Sequence, residues 1–184
     1  MLKNEKKIIF FDGDGTLWYP KSTMQRKRPD WIYADNPKVE DYLHHLILTP
    51  SLLTTLKQLK KLDCFLVAIS IHPHKRLEAD IHMGVKMKHL KLDTLFDEFY
   101  TARPYVWGKA KVILSILKKK KIPKLQALLV GDSYKFDYLS ARSIGVECLL
   151  IKTPYMRHPP RGSRVTKIIG SLKELPGIIK QASR

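Results

Sequence analysis

The feature that most constrains the fold of this chain is the alternation of short apolar runs with amphipathic stretches. The apolar runs predict strands at 7–11, 65–69, 125–130 and 146–151, and a weaker strand at 98–101. Stretches of helical periodicity lie between or after them, at 51–62, 74–87, 109–121, 134–144 and 171–182. Continuous apolar runs are typical of strands buried on both faces, as in parallel sheets. The pattern predicts an α/β fold with a doubly wound, parallel, Rossmann-like sheet.

Two segments are too long to be ordinary connections of such a fold. The first, 18–49, is aromatic and basic, and we expect a flap over the sheet edge with a short helix at 39–46. The second, 152–167, is a basic loop rich in Pro and Arg. With both counted as insertions, 1–184 is expected to form a single domain.

Composition narrows the class of protein. The chain has 184 residues and a net charge of 34 − 17 = +17. It has no apolar run of membrane-spanning length and no signal-peptide pattern at its start. Cys64 and Cys148 lie in apolar runs, which favours reduced thiols. We therefore predict a cytoplasmic protein with no membrane partner.

The positive charge favours a polyanionic partner such as nucleic acid, although a lysine-rich, solvated surface explains it equally well. Basic residues are frequent in 18–49, in 72–76 and in 152–167, which follow or contain predicted strand ends. Aromatic residues of the flap offer stacking surfaces but are more often packing residues. They are Trp18, Tyr19, Trp31 and Tyr33.

The first predicted strand runs into Asp12-Gly13-Asp14-Gly15-Thr16. Two carboxylates this close repel, so one is protonated or a cation lies between them. The segment could also be a polar turn. A calcium loop is excluded because Leu17 and Thr23 stand where that loop requires Gly and Glu. The motif therefore identifies Asp12 and Asp14 as candidate site residues.

A second acidic pair follows the strand predicted at 125–130. Asp132 comes at the strand end and Asp137 in the first turn of the next helix, where an acid could also serve only to cap the helix. Because the carboxyl ends of parallel strands meet at one edge, these acids should lie near Asp12 and Asp14. Such an oxygen-rich cluster suits Mg²⁺.

Two further side chains complete the candidate set. Ser70 ends the strand predicted at 65–69 and could donate to a phosphoryl oxygen. Lys109 opens the helix after Gly108 and could balance negative charge, with Lys111 as the alternative. His72 and His74 are expected to be ordinary loop histidines, since neither has a partner spacing typical of zinc.

These motifs occur in the chain order D-x-D-x-T-L, a strand-end Ser, a helix-opening Lys and G-D-x-x-x-x-D. The set resembles that of the haloacid dehalogenase superfamily, over residues 7–152. The stretches DGTLW, TPSLLTTLKQLKKLDCFLVAIS and KFDYLSARSIGVECLLI are similar to the magnesium-dependent phosphatase family, a branch without a large cap domain. The chain departs from that family in its longer, more basic flap and in the Ile71-His72-Pro73-His74 that follows Ser70.

The resemblance implies the role of each residue. Asp12 would be the nucleophile that forms an aspartyl-phosphate, and Asp14 the general acid and base. Ser70 and Lys109 would hold the phosphoryl oxygens. The resemblance further implies Mg²⁺ as cofactor, with these ligands: Asp12, the backbone carbonyl of Asp14, and Asp132, with Asp137 in support.

The implied activity is a Mg²⁺-dependent phosphatase, a phosphoric monoester hydrolase, acting on a phosphotyrosine protein or a sugar phosphate. The alternative substrate is a nucleic-acid end or another polyanion. Two rivals are a response-regulator-type phosphoacceptor domain and a catalytically idle, nucleic-acid-binding relative. The first needs an acid at the end of the middle strand, where Tyr100-Thr101-Ala102 stand, and the second leaves the acidic set unexplained.

Overall fold

A computed structural model of the chain describes residues 5–24, 26–27, 29, 41–155, 165 and 167–182. The strands are β1 (Ile8–Asp12), β2 (Trp18–Pro20), β3 (Leu46–Leu48), β4 (Phe65–Ile71), β5 (Glu98–Ala102), β6 (Ala127–Gly131), β7 (Glu147–Ile151) and β8 (Ile168–Ile169). The α-helices are α1 (Leu52–Lys60), α2 (Arg76–His89), α3 (Gly108–Lys120), α4 (Leu139–Ser143) and α5 (Leu175–Ala182). Six strands form one sheet in the order β5-β4-β1-β6-β7-β8, and every pairing in it is parallel.

Helices cover both faces of this sheet, as the buried apolar runs predict. Alternate residues of β1 point to opposite faces. Ile9 and Phe11 pack in a cluster with Leu56 of α1, Met83 of α2 and Ile179 of α5. Ile8 and Phe10, the intervening residues of β1, pack on the other face of the sheet. They lie in a cluster with Ile113 of α3 and Ala141 of α4. The predicted doubly wound α/β fold is therefore confirmed.

The central position of β1 determines where functional side chains can meet. Asp12, its last residue, is in register with Ile69 of β4, and Phe11 is in register with Val130 of β6. Ser70 follows Ile69, and Asp132 follows the last residue of β6. The carboxyl ends of three neighbouring strands thus bring the candidate residues to one edge of the sheet.

The segment 18–49 begins and ends as an antiparallel hairpin of β2 and β3, in which Trp18 pairs with Leu48 and Pro20 with Leu46. A 3₁₀ turn, Tyr42–His45, stands where the sequence predicted a helix at 39–46. No large cap domain occurs in the described part of the segment.

The packing interpretation of the flap aromatics holds for the two that are described. Trp18 is fully buried and Tyr19 is 5% exposed. Trp31 and Tyr33 lie outside the described residues, as do 25, 28, 30–40, 156–164 and 166. Arg157, Arg161 and Arg164 of the basic loop 152–167 also lie outside the described residues.

The carboxyl-terminal third differs from the sequence prediction in two ways. The helix predicted at 134–144 starts as a π-helical turn, Tyr134–Tyr138, and continues as α4. The short strand β8 extends the sheet beside β7, and no strand was predicted there.

The thiols of Cys64 and Cys148 are free and buried, as predicted. None of the helices in the described residues has the length and apolar character to span a bilayer.

Candidate active site

Three carboxylates from separate elements converge at the edge of the sheet. Asp12 ends β1, Asp132 follows β6, and Asp137 lies in the π-helical turn. One carboxylate oxygen from each lies within 4.8 Å of the others. All three side chains are buried, and Asp137 is fully so. Residues separated by 120 positions in the sequence therefore form one acidic cluster, as the strand-end argument predicts.

Lys109, the second residue of α3, lies against this cluster. Its Nζ donates to Oδ1 of Asp12 and to Oδ1 of Asp137. Burial alone would lower the pKa of Lys109, but the two carboxylates outweigh burial and hold the pKa above its usual value. The lysine that contacts the cluster is therefore Lys109; the Nζ of Lys111 lies over the ring of Tyr105, 5.5 Å from its centroid.

Three buried carboxylates facing one ammonium leave negative charge uncompensated. Burial and the charge of Asp137 raise the pKa of Asp12 well above its usual value. The same two causes raise the pKa of Asp132 to about 6. A divalent cation among these oxygens would remove the repulsion. The buried, oxygen-only donor set fits Mg²⁺, which prefers carboxylates and water.

The three carboxylates are not equivalent towards a cation. Oδ1 of Asp137 accepts from Lys109, and its Oδ2 accepts from the backbone N–H of Ser133 at 2.9 Å. Asp12 and Asp132 have fewer protein donors and are better placed to act as ligands. This arrangement suits the supporting role that the resemblance implies for Asp137.

Asp14 is held apart from this cluster by a second set of contacts. Its Oδ1 accepts from Nε1 of Trp18 at 2.8 Å and its Oδ2 accepts from Oγ of Ser70 at 3.2 Å. The Nζ of Lys86, from α2, lies 3.7 Å from Oδ1 of Asp14. The carboxylate is therefore fixed by β2, β4 and α2 together and contributes no oxygen to the acidic cluster.

Two glycines let backbone and carboxylates approach closely. Gly15 has φ +91°, and a Cβ there would lie 2.6 Å from Oδ2 of Asp132 and 2.5 Å from Oη of Tyr155. A Cβ at Gly131 would lie 2.2 Å from Cγ of Asp137. Any side chain at either position would push a carboxylate out of the cluster.

A cleft of about 340 Å³ lies between the ends of β4 and β5, the start of α2 and the length of α3. Its lining includes His72, Tyr105, Gly108 and cationic side chains. Those cationic side chains are Arg76, Arg103, Lys111 and Lys119. His72 follows Ser70 by two residues and Gly108 precedes Lys109, but the side chains of the acidic cluster do not line the cleft.

Sequence reasoning missed three contacts of this site. The predicted flap contains Trp18 but gives it no role beside Asp14. Lys86 falls within the helix predicted at 74–87, again with no role at the site. Tyr155 lies beside Asp132, and burial together with that carboxylate raises the pKa of its hydroxyl. All three depend on tertiary contacts, and only the short separation of Trp18 from Asp14 offered a local signal.

Solved structures show the same fold. A protein from Clostridium acetobutylicum described as a predicted phosphatase superimposes with a TM-score of 0.72 at 15% identity, over 97% of this chain and 99% of its own. A haloacid dehalogenase-like family hydrolase from Streptococcus pneumoniae gives 0.69 at 20% identity, over 97% and 99%. A HAD phosphatase from Thermococcus onnurineus gives 0.66 at 21% identity, over 94% and 97%. At these identities the likeness establishes the fold alone.

The sequence itself assigns the family. No curated protein is significantly similar to the chain. The model of the haloacid dehalogenase-like hydrolase family, however, matches residues 16–151, which span the structure from the hairpin to the end of β7. The matched segment begins two residues after Asp14, so it leaves out Asp12 and Asp14, and it contains Ser70, Lys109, Asp132 and Asp137. The chain therefore belongs to the haloacid dehalogenase-like hydrolase family.

Proposed function

We propose that this protein is a Mg²⁺-dependent phosphatase that hydrolyses a phosphate monoester through an aspartyl-phosphate on Asp12. The observation that carries the proposal is the position of Asp12. Its carboxylate shares a buried site with Asp132 and Asp137, contacts Lys109, and lies two residues from the separately held Asp14. A nucleophile, a neutralising cation and an independent acid are the groups that this reaction requires.

In the first step, an oxygen of Asp12 forms a bond to phosphorus while the bond from phosphorus to the leaving oxygen breaks. Asp14 gives its proton to that leaving oxygen. In the second step, Asp14 accepts a proton from water, the water oxygen bonds to phosphorus, and the bond to Asp12 breaks. Trp18 holds the Asp14 carboxylate in position for both proton transfers. The single O–H of Ser70, which donates to Asp14 in the free protein, would turn to the phosphoryl group when substrate binds.

The negative charge of the phosphoryl group would be neutralised partly by protein side chains and partly by Mg²⁺. Lys109 would contact the phosphoryl oxygens as the phosphoryl group moves onto Asp12, and Ser70 would donate to one of them. Asp12, Asp132 and the backbone carbonyl of Asp14 would hold Mg²⁺, with Asp137 in support. When bound, Mg²⁺ would offset negative charge on the phosphoryl group and help align it for in-line attack.

The direct test is the release of phosphate from an aryl phosphate by the wild-type chain and by Asp12→Asn. We expect activity that requires Mg²⁺ and is abolished by Asp12→Asn, because an amide cannot serve as the nucleophile. Asp93→Asn is the matched control, since Asp93 is exposed and lies before the amino end of β5, at the edge of the sheet opposite to the acidic cluster. Phosphate release by the Asp12→Asn variant, purified free of other phosphatases, would refute the mechanism.

The covalent step can be observed separately. Asp14→Asn should form the phosphoryl-enzyme from a substrate with a good leaving group but hydrolyse it slowly, since the base for water is missing. Intact-mass measurement after rapid acid quench should show the added phosphoryl mass in this variant. A full rate of turnover by Asp14→Asn would remove Asp14 from the mechanism.

Two observations bear on the substrate class. The motifs that resemble the magnesium-dependent phosphatase family support a phosphotyrosine protein or a sugar phosphate, which we propose as the first candidate. Four cationic side chains line the cleft, which favours a leaving group that carries negative charge of its own, so a phosphorylated nucleic-acid end is the second candidate. The comparison should include sugar phosphates, nucleotides, phosphotyrosine peptide and phosphorylated oligonucleotide ends.

A salt series separates the two candidates. Contacts with a polyanion weaken steeply with ionic strength, whereas small monoesters respond little. We expect KM for an oligonucleotide end to rise much more steeply with salt than KM for a sugar phosphate, if nucleic acid is the substrate. Equal salt dependence would exclude polyanion recognition.

A further inference from the structure

A second group of metal-ligating side chains lies at the start of α2, apart from the acidic cluster. It consists of His74, Glu78 and His82, and one ligand atom of each lies within 4.8 Å of the others. Nδ1 of His74 is 3.2 Å from Oε1 of Glu78. Two ligands of a tetrahedral zinc ion with bonds of about 2.0–2.1 Å are separated by about 3.4 Å. The pair therefore already has the spacing that a shared ion requires.

The fold assembles this group from a helix and the loop before it. Glu78 and His82 are one turn apart on α2, so their side chains lie on the same face. His74 precedes the helix, and its backbone carbonyl accepts from Nη1 of Arg103 at 2.6 Å, just beyond β5. This bond fixes the loop, whereas the half-exposed His82 and the exposed Glu78 keep the freedom to close around an ion.

A third histidine supplies an independent observation. His72 is 4% exposed, and its Nδ1 has no hydrogen-bond partner among the described residues. Its ring centroid lies 4.7 Å from that of His74 and 5.4 Å from that of His82. Leaving a buried ring nitrogen unpaired is costly unless a ligand satisfies it. The unpaired nitrogen lies in the same cluster of rings as the candidate ligands.

We propose that His74, Glu78 and His82 bind a transition-metal ion of the zinc class, with the buried ring of His72 packed beside them. Imidazole and carboxylate together suit Zn²⁺, whereas the acidic cluster offers only oxygen atoms and suits Mg²⁺. The two sites therefore select different ions. Because His72 and His74 also line the cleft, the bound ion would lie at the edge of the cleft.

The charges around this group set the conditions for binding. Lys86 follows His82 by one turn, but it is paired with Asp14. Arg76 lies near Asp80, 3.8 Å from its Oδ2. Glu78 is thus the one carboxylate in the ligand set and partly offsets the charge of the ion. Removing its charge should weaken binding as well as removing a ligand.

Zinc binding to the whole chain can be measured by calorimetry in excess Mg²⁺, which occupies the acidic cluster. We expect one zinc ion per chain. Glu78→Gln should weaken its binding about tenfold or more, and His82→Asn about a hundredfold. His89→Asn, an exposed histidine on the last turn of the same helix, should bind as the wild type does. With Co²⁺ in place of zinc, visible absorption should report the imidazole ligands.

Three results would overturn the proposal: no zinc bound in excess Mg²⁺, unchanged affinity in both Glu78→Gln and His82→Asn, or loss of zinc binding in Asp132→Asn. The last would place the ion in the acidic cluster. Because Glu78 is exposed, its variant should fold even if His82→Asn does not. The measurement uses no substrate, so its outcome is independent of whether the chain is a phosphatase.

Discussion

The indole N–H of Trp18 donates a hydrogen bond of 2.8 Å to the carboxylate of Asp14, and the two residues also form an isolated backbone bridge. The proposed general acid is thus oriented by the first residue of the β2–β3 hairpin. The backbone N–H of Gly15 completes the link by donating to the carbonyl of Trp18 at 2.8 Å.

This relationship predicts the effect of Trp18→Phe. The variant keeps most of the buried apolar surface but loses the donor to Asp14, so the carboxylate is less well oriented. We expect kcat to fall about ten- to hundredfold, with a much smaller change in KM. Steady-state kinetics alongside Trp107→Phe, whose side chain is 52% exposed, provides the comparison. A kcat equal to that of wild type would show that the hydrogen bond only supports packing.

Lys109→Met and Lys111→Met should behave differently. Lys109 contacts two buried carboxylates, so its loss should lower kcat by about a hundredfold or more and destabilise the fold by about 3 kcal/mol. Part of the lost stability should return on addition of Mg²⁺, which offsets the same charge. Lys111 lines the cleft, so its variant should mainly raise KM. Thermal unfolding with and without Mg²⁺, together with kinetics, measures both effects; the reverse pattern would assign the phosphate contact to Lys111.

Gly15→Ala and Gly145→Ala form a matched pair. Both glycines have positive φ, +91° and +74°, so each alanine should cost about 1 kcal/mol of stability. Only at Gly15 would the added Cβ meet Asp132 and Tyr155, because nothing lies within 4 Å of it at Gly145. We expect Gly15→Ala to lose Mg²⁺ affinity and activity, and Gly145→Ala to retain both. Equal activity in the two variants would mean that the acidic cluster tolerates displacement.

Glu147 gives a pH-dependent contribution to stability away from the site. Partial burial raises its pKa, but hydrogen bonds from Lys167 and from Lys6, which is buried, outweigh this and lower the pKa below its usual 4.5. Since the unfolded chain takes up the proton first, the contribution is complete above about pH 5 and is lost as pH falls through the folded-state pKa.

Glu147→Gln should therefore reduce the free energy of unfolding by about 1–2 kcal/mol near neutral pH, and by progressively less below about pH 4. Chemical denaturation across this pH range measures the difference. Glu5→Gln is the control, since Glu5 is exposed. If the free energies of unfolding of Glu147→Gln and the wild type differ by the same amount down to about pH 3, the charge of the carboxylate is not the cause.

The sequence predicted most of the sheet and the acidic cluster because both depend on local pattern. Buried runs such as Phe65–Ile71 are recognisable without knowledge of their neighbours. Acids that directly follow such runs must lie at the carboxyl edge of a parallel sheet. The convergence of Asp12 with Asp132 follows from those two facts.

What the sequence could not predict depends on which faces pack together. Lys86 reaches Asp14 only through the packing of α2 on the sheet, where it lies beside β5. The β2–β3 hairpin has too few residues for a strand pattern. The histidines could not be recognised as a group for the same reason. His72 directly follows β4, whereas His82 lies almost two turns into α2. Their rings meet only in three dimensions.

The pairing of Pro20 with Leu46 closes the ends of the inserted segment against each other. Within that segment, Tyr42 and Leu43 pack against the hydrophobic core, and the Nζ of Lys86 lies 5.9 Å from the centroid of the Tyr42 ring. Because Lys86 also pairs with Asp14, a change of sequence in this part of the segment would be transmitted to the proposed general acid.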